Sequence, residues 1–317
     1  MAKDSEITAT LKVLVLNAEN LFIFMEHWKE EPIDQMNEIQ WQKLNSGLIG
    51  NKTLSKVQAL AATITKISPD LIMLTEVGGL LSLENFNRYF LKNFYQPYLL
   101  EGNSDRGIDM GFLLKAPWSG KIFSHKDYKL PHAKYTSFSR DVLKLEVSLH
   151  DRLVANALLV HLKSKLNSKG DDFEGRTRRA VEVLGLSEII HQLPADVPLL
   201  LGGDFNGVAS GPMPEPEFLP LKHKNNLQDA ALVAGLPESE RYSYVYFNQG
   251  GLRIEQQLDY LFLNQKAQES LLKESVTFPR YTGAEGQLIP MPQRSWQKIL
   301  MPSDHLPLYA EFKLKIN

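Results

Sequence analysis

Residues that can bind metal ions or move protons follow several apolar segments of the chain. Residues 11–16 lead into Asn17 and Glu19, and residues 71–75 lead into Glu76. The same arrangement recurs further along, at His161 and Lys163, Asp204 and Asn206, Asp259, and Asp304 and His305. We expect these acids, amides and imidazoles to meet in one pocket.

Each of these residues has a simpler explanation when it is taken alone. Asp204 follows two glycines and could be a turn residue, and His161 and His305 could be ordinary core histidines. Asp259 is harder to explain, because it lies inside the apolar segment 257–263, where a buried carboxylate is costly unless it is paired or binds a metal. All the simple explanations would have to hold together, which favours a common site.

The residue types predict chemistry on a phosphorus centre. Carboxylate and amide oxygens favour Mg²⁺, Mn²⁺ or Ca²⁺ over Zn²⁺, and the chain has no cysteine to supply thiolate ligands. The sequence also lacks a Gly-x-Ser-x-Gly nucleophile turn, a P-loop and a His-Glu-x-x-His pair. A hard divalent ion beside histidines suits the attack of water on a phosphoester.

The elements that must position these residues alternate between strands and helices. Short apolar segments predict buried strands at 11–17, 70–76, 110–115, 144–149, 153–162, 198–204, 242–247, 257–263 and 308–314. Apolar residues at three- and four-residue spacing predict a helix over 53–67, and a longer helix is predicted over 174–193. This mixture indicates an α/β or α+β fold.

The composition is that of a globular protein. The 317 residues are 43% hydrophobic and 23% charged, with a net charge of −2. A protein that depends on non-specific phosphate-backbone contacts would usually be basic, although a local basic stripe could still bind nucleic acid. Without repeats or linkers we expect a single domain over 1–317, with a polar insertion at 25–51 as the place for specificity.

The apolar segments are too short for membrane insertion or secretion. No stretch approaches the ~20 apolar residues of a membrane span, and the run at 11–16 is shorter than the apolar core of a secretory signal. We therefore expect a soluble, cytoplasmic protein. No obligate protein partner can be read from the sequence.

Eight motifs together resemble the endonuclease/exonuclease/phosphatase superfamily, the metal-dependent phosphoesterases similar to deoxyribonuclease I. They occur in that family's order and span nearly the whole chain: N-A-E-N-L-F (17–22), T-E-V (75–77), R-G-I-D (106–109), S-R-D (139–141), H-L-K-S-K (161–165), G-D-F-N (203–206), Q-L-D-Y (257–260) and S-D-H-L-P (303–307). The resemblance implies a four-layered α/β sandwich, with two central mixed sheets packed face to face and helices outside.

The resemblance also implies a metal site that holds Mg²⁺ or Mn²⁺. Glu76 would be the main ligand, helped by Glu19 or Asn17, and Asp304 would be a further carboxylate on the metal side.

The catalytic roles implied by the family fall on five matched positions. Asp204 would orient or activate the attacking water, and Asn206 would hold a phosphate oxygen. His305 would contact the scissile phosphate while Asp259 fixes its tautomer, and His161 would act as an acid or a phosphate ligand.

Three further residues are implied as contacts to the substrate phosphate, namely Asn17, Arg140 and Lys163. For Arg140 a surface salt bridge with Asp141 or another acid is an equal alternative. The stretch 161–179 is rich in lysine and arginine. It could bind polyphosphate or nucleic acid, or be a solvated helix face.

The implied activity is hydrolysis of a phosphodiester, with DNA or RNA as the first candidate substrate. His161 stands where the abasic-site repair branch of the family has asparagine, so the sequence resembles the deoxyribonuclease-like and phosphatase-like branches more closely. One alternative is a phosphatase or phosphodiesterase acting on a small phosphoester, such as an inositol phosphate, a phospholipid headgroup or a nucleotide. A non-catalytic phosphate-binding module is a second alternative, although every matched position is filled.

Overall fold

The computed structural model describes residues 8–29, 32–165, 172–283 and 285–316. Fourteen strands are assigned in these ranges: β1 (Thr8–Leu21), β2 (Leu71–Val77), β3 (Tyr95–Tyr98), β4 (Asp109–Lys115), β5 (Trp118–Ser124), β6 (Val142–Leu149), β7 (Arg152–His161), β8 (Leu199–Asp204), β9 (Gln228–Asp229), β10 (Tyr244–Phe247), β11 (Arg253–Gln256), β12 (Asp259–Leu263), β13 (Leu271–Thr277) and β14 (Leu308–Lys315).

The described α-helices are α1 (Glu38–Gln42), α2 (Leu54–Ile67), α3 (Gly79–Phe90), α4 (Arg176–His191), α5 (Leu219–His223), α6 (Ala230–Val233) and α7 (Gln265–Ser270). Short 3-10 turns occur at Ile33–Gln35, Phe173–Gly175, Pro216–Phe218, Glu238–Glu240 and Ser295–Leu300. Among the described helices, none has the length and apolar character that a membrane span requires.

Two six-stranded sheets form the centre of the molecule. One has the order β13-β14-β1-β2-β4-β3 and the other β5-β6-β7-β8-β12-β9, while β10 and β11 form a separate hairpin. Both sheets are mixed, because β1 pairs with β2 and β7 with β8 in parallel while their other pairings are antiparallel. This architecture confirms the predicted α/β sandwich.

The layers follow from the two-residue period of side chains along a strand. In β1, Val13 and Val15 point into the core between the two sheets. Leu14 and Leu16 point the other way and pack with Val57 of α2. Helix α4 covers the second sheet in the same manner, through residues of its buried face.

Every segment predicted as a strand contains one, and both predicted helices are present as α2 and α4. The five strands that were not predicted are β3, β5, β9, β11 and β13. Four of them lie at sheet edges and β11 is in the hairpin. An edge strand buries fewer side chains and therefore lacks the continuous apolar run that marks a central strand.

The polar segment 25–51 contributes to the core as well as to the surface, apart from Glu30 and Glu31, which lie outside the described residues. Trp41 of α1 is fully buried, and its Nε1 donates a hydrogen bond of 2.8 Å to the carbonyl oxygen of Lys52. This burial is hardly visible in the sequence, because one tryptophan among polar residues does not make a periodic pattern.

We expect Trp41→Ala to lower the free energy of unfolding by about 3–5 kcal/mol, the usual cost of emptying a large buried aromatic site. Urea or guanidinium titration would measure it. Ile39→Ala on the same helix is the control, because Ile39 is 68% exposed. Equal effects of the two substitutions would contradict the buried position of Trp41.

Candidate active site

Three neighbouring strands of the second sheet bring His161, Asp204 and Asp259 together. The parallel pairing of β7 and β8 sets His161 opposite Asp204, and the antiparallel pairing of β8 and β12 sets Asp259 opposite Asp204. Gly203 permits this approach, because with φ of 137° an added Cβ would lie 1.9 Å from the Val160 carbonyl oxygen. The registers therefore place an imidazole and two carboxylates side by side.

The first sheet supplies Asn17 and Glu76 from adjacent parallel strands, with Asn17 opposite Thr75. The backbone is strained at this point, because Glu19, Asn20 and Glu76 all have left-handed φ values, of 49°, 57° and 60°. Such conformations concentrate at functional sites, where the surrounding structure holds them.

The Asn17 side chain joins the two sheets. Its Nδ2 donates to Asp204 Oδ2 at 3.0 Å and to Glu76 Oε1 at 3.3 Å, and its Oδ1 accepts from the Glu19 backbone N–H at 2.9 Å. The other oxygen of Glu76 accepts from the Asn20 backbone N–H at 3.0 Å. Asn17 thus fixes the separation of two carboxylates that come from different sheets.

Asp204 is buried and held by its hydrogen-bond donors. Asn206 donates its backbone N–H to Oδ1 at 2.8 Å and its Nδ2 to Oδ2 at 3.2 Å. Burial raises the pKa of Asp204, and the neighbouring His305 lowers it in part. A carboxylate whose ionised form is penalised in this way accepts a proton readily.

His305 and Asp259 form a buried pair, with His305 Nδ1 and Asp259 Oδ2 2.6 Å apart. Burial alone would lower the pKa of His305, but the carboxylates of Asp259 and Asp204 raise it well above the usual value. The Nε2 atom lies 4.0 Å from Asp204 Oδ2 and 3.9 Å from Asp304 Oδ1. Asp259 therefore orients the ring and leaves Nε2 facing the cleft.

His161 has the opposite electrostatic setting. Burial and the positive charge of Arg140 hold its pKa well below the usual value, so the ring is neutral. Its Nε2 lies 3.6 Å from Asp204 Oδ2 and 3.9 Å from Glu76 Oε1. The two histidines therefore differ in charge at neutral pH.

These side chains border an open cleft of about 560 Å³. From the predicted set, the cleft is lined by Glu19, Glu76, Arg140, His161, Asp204, Asn206, Asp304 and His305. Tyr244 and Tyr246 of β10 line it as well, with ring centroids 6.4 Å apart and nearly parallel planes.

Arg140 and Lys163 occupy different places. The Nη1 of Arg140 donates to the carbonyl oxygens of His161 and Leu162 at 3.2 Å each, and its head group reaches the cleft. Asp141, the alternative partner, instead accepts hydrogen bonds from Ser124 and the His125 backbone. Lys163 follows β7 and is not among the described residues that line the cleft. Its backbone N–H donates to a carboxylate at 2.7 Å.

That carboxylate belongs to Glu182, a buried residue of α4 whose position the sequence did not indicate. Glu182 also accepts hydrogen bonds from the backbone and hydroxyl of Ser139. Arg179 on the same helix is fully buried too, and it binds Glu215 and Glu217 at 3.2 Å and 2.6 Å. A solvated face therefore does not describe Arg179, although the side chains of Arg176 and Arg178 are 50% and 30% exposed. Lys169 of the basic stretch lies outside the described residues.

A second residue without a sequence signal is Lys298, in the 3-10 turn at Ser295–Leu300. Its Nζ lies 3.1 Å from the Tyr244 hydroxyl, 4.2 Å from the centre of that ring and 3.7 Å from Asp304 Oδ2. The Tyr244 ring in turn lies 5.0 Å from the His305 ring. Lys298 therefore supplies a positive charge at the Asp304 side of the cleft.

The donor set fits a hard divalent cation. Glu76 and Asp304 line the cleft with carboxylate oxygens. Asp204, Asp259 and His305 also offer ligand atoms within 4.8 Å of one another, but the hydrogen bond to Asp259 and the raised pKa make the His305 ring a poor cation ligand. Asp259 Oδ1 is buried without a hydrogen-bond partner among the described residues. Glu19 fits less well, because its carboxylate is paired with Lys52 and Lys56 at 3.4 Å and 3.2 Å.

Asp229 lies behind the site and supports the segment that carries Asp259. It accepts hydrogen bonds from Gln257 Nε2 at 3.2 Å and from the Ala231 backbone N–H at 3.1 Å. Burial raises its pKa from 3.8 to about 6, although these hydrogen bonds act in the opposite direction. Because the pKa of Asp229 is higher in the folded state, ionisation of this carboxyl lowers the free energy of unfolding progressively as the pH rises from about 4 to about 6.

We expect Asp229→Asn to remove that pH dependence, which corresponds to about 3 kcal/mol for about two pKa units. As the pH rises from 4 to 7, the free energy of unfolding of the variant should increase relative to that of the wild-type protein. Denaturant titration at both pH values measures this difference. Asp127→Asn at an exposed position is the control. Parallel stability curves for wild type and Asp229→Asn would contradict the shift.

Solved structures share this fold over nearly the whole chain. D. rerio TDP2 complexed with a single-strand DNA product is 14% identical, with 96% of this chain and 99% of that chain covered and a TM-score of 0.61. The human Nocturnin catalytic domain with bound sulfate is 14% identical, with 98% and 96% covered and a TM-score of 0.61. An endonuclease/exonuclease/phosphatase family protein from Bacteroides thetaiotaomicron is 14% identical, with 98% and 100% covered and a TM-score of 0.56.

No family model matches the sequence, and no curated protein does. At these levels of identity the structural likeness establishes the fold. The chain has the fold of the endonuclease/exonuclease/phosphatase superfamily, and the resemblance inferred from the eight motifs is confirmed at that level.

Proposed function

We propose that the protein is a divalent-metal-dependent phosphodiester hydrolase of the endonuclease/exonuclease/phosphatase superfamily. The observation that carries the proposal is the convergence of Asn17, Glu76, His161, Asp204 and the Asp259–His305 pair, which are far apart in sequence, on one cleft. A structural protein has no need to bury several carboxylates against two imidazoles, because such burial is costly.

Asp204 is the group proposed to orient the attacking water and take its proton. Its raised pKa suits this role, because a base works best when its pKa lies near the working pH. Asn17 and Asn206 hold both oxygens of the carboxylate in place. Water would therefore meet a base whose orientation is already fixed.

His305 is proposed to bind the scissile phosphate through Nε2. With Nδ1 held by Asp259 and the pKa raised, the ring carries a positive charge at neutral pH. A charged donor stabilises the negative charge that develops on the phosphate oxygens. His161 stays neutral and supplies an uncharged hydrogen bond to the same group.

Glu76, with Asp304 as a second carboxylate, is proposed to hold Mg²⁺ or Mn²⁺. When bound there, the ion would neutralise charge on the phosphate. Asn17 and the Asn20 backbone keep the Glu76 carboxylate in position. Glu19 is a weaker candidate ligand, because two lysines already bind its carboxylate.

DNA or RNA is the first proposed substrate, with Arg140 as a phosphate contact. Tyr244 and Tyr246 line the cleft with rings inclined by 23° to each other, on which bases could stack, and the D. rerio TDP2 structure contains single-strand DNA product. A small phosphoester is the second candidate, because the net charge of −2 gives no general attraction for a long polyanion.

The test is hydrolysis of a substrate panel with Mg²⁺, with Mn²⁺ and with EDTA. The panel contains single-stranded and double-stranded DNA, RNA, and single phosphodiesters such as bis(p-nitrophenyl) phosphate. Metal-dependent hydrolysis that disappears in the Asp204→Asn variant supports the proposal. If no phosphoester is cleaved with either ion, and neither ion changes the melting temperature, the enzymatic proposal is overturned in favour of a phosphate-binding module.

A further inference from the structure

A second cavity of about 550 Å³ adjoins the active-site cleft. The two cavities share Glu19, Asn20 and Arg106, so they meet at the irregular part of β1 that follows Asn17. The other lining residues that matter here are Phe22, which follows β1, Ile49, Lys52 and Lys56 before and at the beginning of α2, and Ile108, which precedes β4.

Among the described residues that line this cavity, three side chains are positively charged and one is a carboxylate. Lys52 donates to the Glu19 carbonyl oxygen at 2.7 Å and lies 3.4 Å from Glu19 Oε2, while Lys56 lies 3.2 Å from the same Oε2. Arg106 is exposed and forms no hydrogen bond or ion pair with the residues that the structure describes. One acid therefore balances only part of the charge of two lysines and an arginine.

The lysines are held rather than free to rotate in solvent. The Lys52 side chain is only 4% exposed and that of Lys56 18%. Burial lowers the pKa of Lys52 to about 8, and the charge of Glu19 acts against this shift. Two ammonium groups that share one carboxylate oxygen are positioned beforehand, and they retain donor N–H groups for a further anion.

We propose that this cavity is a second anion subsite, which binds a phosphate group of the substrate adjacent to the phosphodiester that is cleaved. The subsite rests on the proposed function, because it assigns a substrate with at least two phosphates. Ammonium and guanidinium groups together suit a phosphate, which accepts several charge-assisted hydrogen bonds. Phe22, Ile49 and Ile108 supply apolar wall for the carbon skeleton between the phosphates.

In this arrangement Glu19 is a positioning residue for the lysines. The backbone of Glu19 is left-handed, with φ of 49°. In this conformation both its carbonyl oxygen and its carboxylate accept hydrogen bonds from Lys52. Glu19, which the resemblance implied as a metal ligand, therefore positions the lysines of the neighbouring subsite.

The experiment compares kinetics on four short nucleotides with Mn²⁺ or Mg²⁺ present. Thymidylyl-thymidine carries one phosphodiester, its 5′- and 3′-phosphorylated forms add a terminal phosphate on either side, and the trinucleotide adds an internal diester. We expect one of the phosphorylated forms to have a KM about tenfold lower than the unphosphorylated dinucleotide, with a similar kcat. Lys56→Ala and Arg106→Ala should each remove most of that difference.

Lys66→Ala is the matched control, because Lys66 lies on the same helix, is exposed and is distant from this cavity's lining. It should leave the KM difference intact. Dependence on a terminal phosphate alone would identify a small polyphosphorylated substrate, while an equal benefit from the internal diester would identify a nucleic acid chain. Both results support the subsite.

Binding to the Asp204→Asn protein separates the subsite from the catalytic proposal. Calorimetry should show tighter binding of the phosphorylated dinucleotide, and Lys56→Ala should abolish the gain even if no nucleotide is hydrolysed. Equal KM and equal binding for all four nucleotides, or equal effects of Lys56→Ala and Lys66→Ala, would overturn the subsite. Hydrolysis that persists in that case would leave the phosphodiesterase proposal standing.

Discussion

Asp204→Asn is expected to lower kcat on the substrate identified in the screen by about 10²- to 10⁴-fold, the usual contribution of a general base. The amide keeps the shape of the side chain but cannot take a proton from water. The amide oxygen can still accept from the side chains of Asn17 and Asn206, whereas the hydrogen bond from the Asn206 backbone N–H is lost. The measurement is kcat at saturating metal and substrate.

The same substitution should do little harm to folding. The folded-state pKa of Asp204 is raised, so its ionised form is penalised at neutral pH in the metal-free protein, and a neutral amide escapes this penalty. Relief of this penalty offsets the loss of one hydrogen bond, so the thermal midpoint without metal should stay close to that of the wild-type protein. Asp70→Asn is the control at the far end of β2, where Asp70 accepts from the Lys12 backbone N–H at 3.0 Å. Near-full activity of Asp204→Asn would remove Asp204 from the mechanism.

His305→Ala is expected to cause a loss of similar size, about 10²- to 10⁴-fold, because the charged contact to the phosphate disappears. The substitution also leaves the Asp259 carboxylate buried without its partner, which destabilises a protein. The double variant His305→Ala/Asp259→Asn removes that unpaired charge. If the loss is catalytic, the double variant should regain stability but not activity.

Asp259→Asn tests the pair through its pH profile. The carboxylate of Asp259 helps to raise the pKa of His305 well above the usual value, so the wild-type ring keeps its proton into alkaline pH. Without that charge the ring should lose its proton at lower pH, and the alkaline limb of kcat/KM should move toward neutrality. His223→Ala, at an exposed site, is the control. An unchanged alkaline limb would show that Asp259 has no influence on His305.

The central strands and the residue types of the candidate site were predictable from local sequence. Residues 11–17, 70–76 and 198–204 are apolar runs that end in Asn17, Glu76 and Asp204, and each run became a strand with those residues near its end. A buried central strand needs an apolar side chain at almost every position, so the ends of the apolar run predict the ends of the strand. The candidate ligand types, which are oxygens and imidazoles, can be recognised without the structure.

Tertiary structure decided how those residues combine. Strand register sets Asp204 opposite both His161 and Asp259, and register depends on pairings between segments that are distant in the chain. The partners of Glu19 could not be predicted from the sequence either, because only the fold shows that its carboxylate binds Lys52 and Lys56. A carboxylate can bind a metal or an ammonium group equally well, and the choice depends on which partner the folded chain brings within reach.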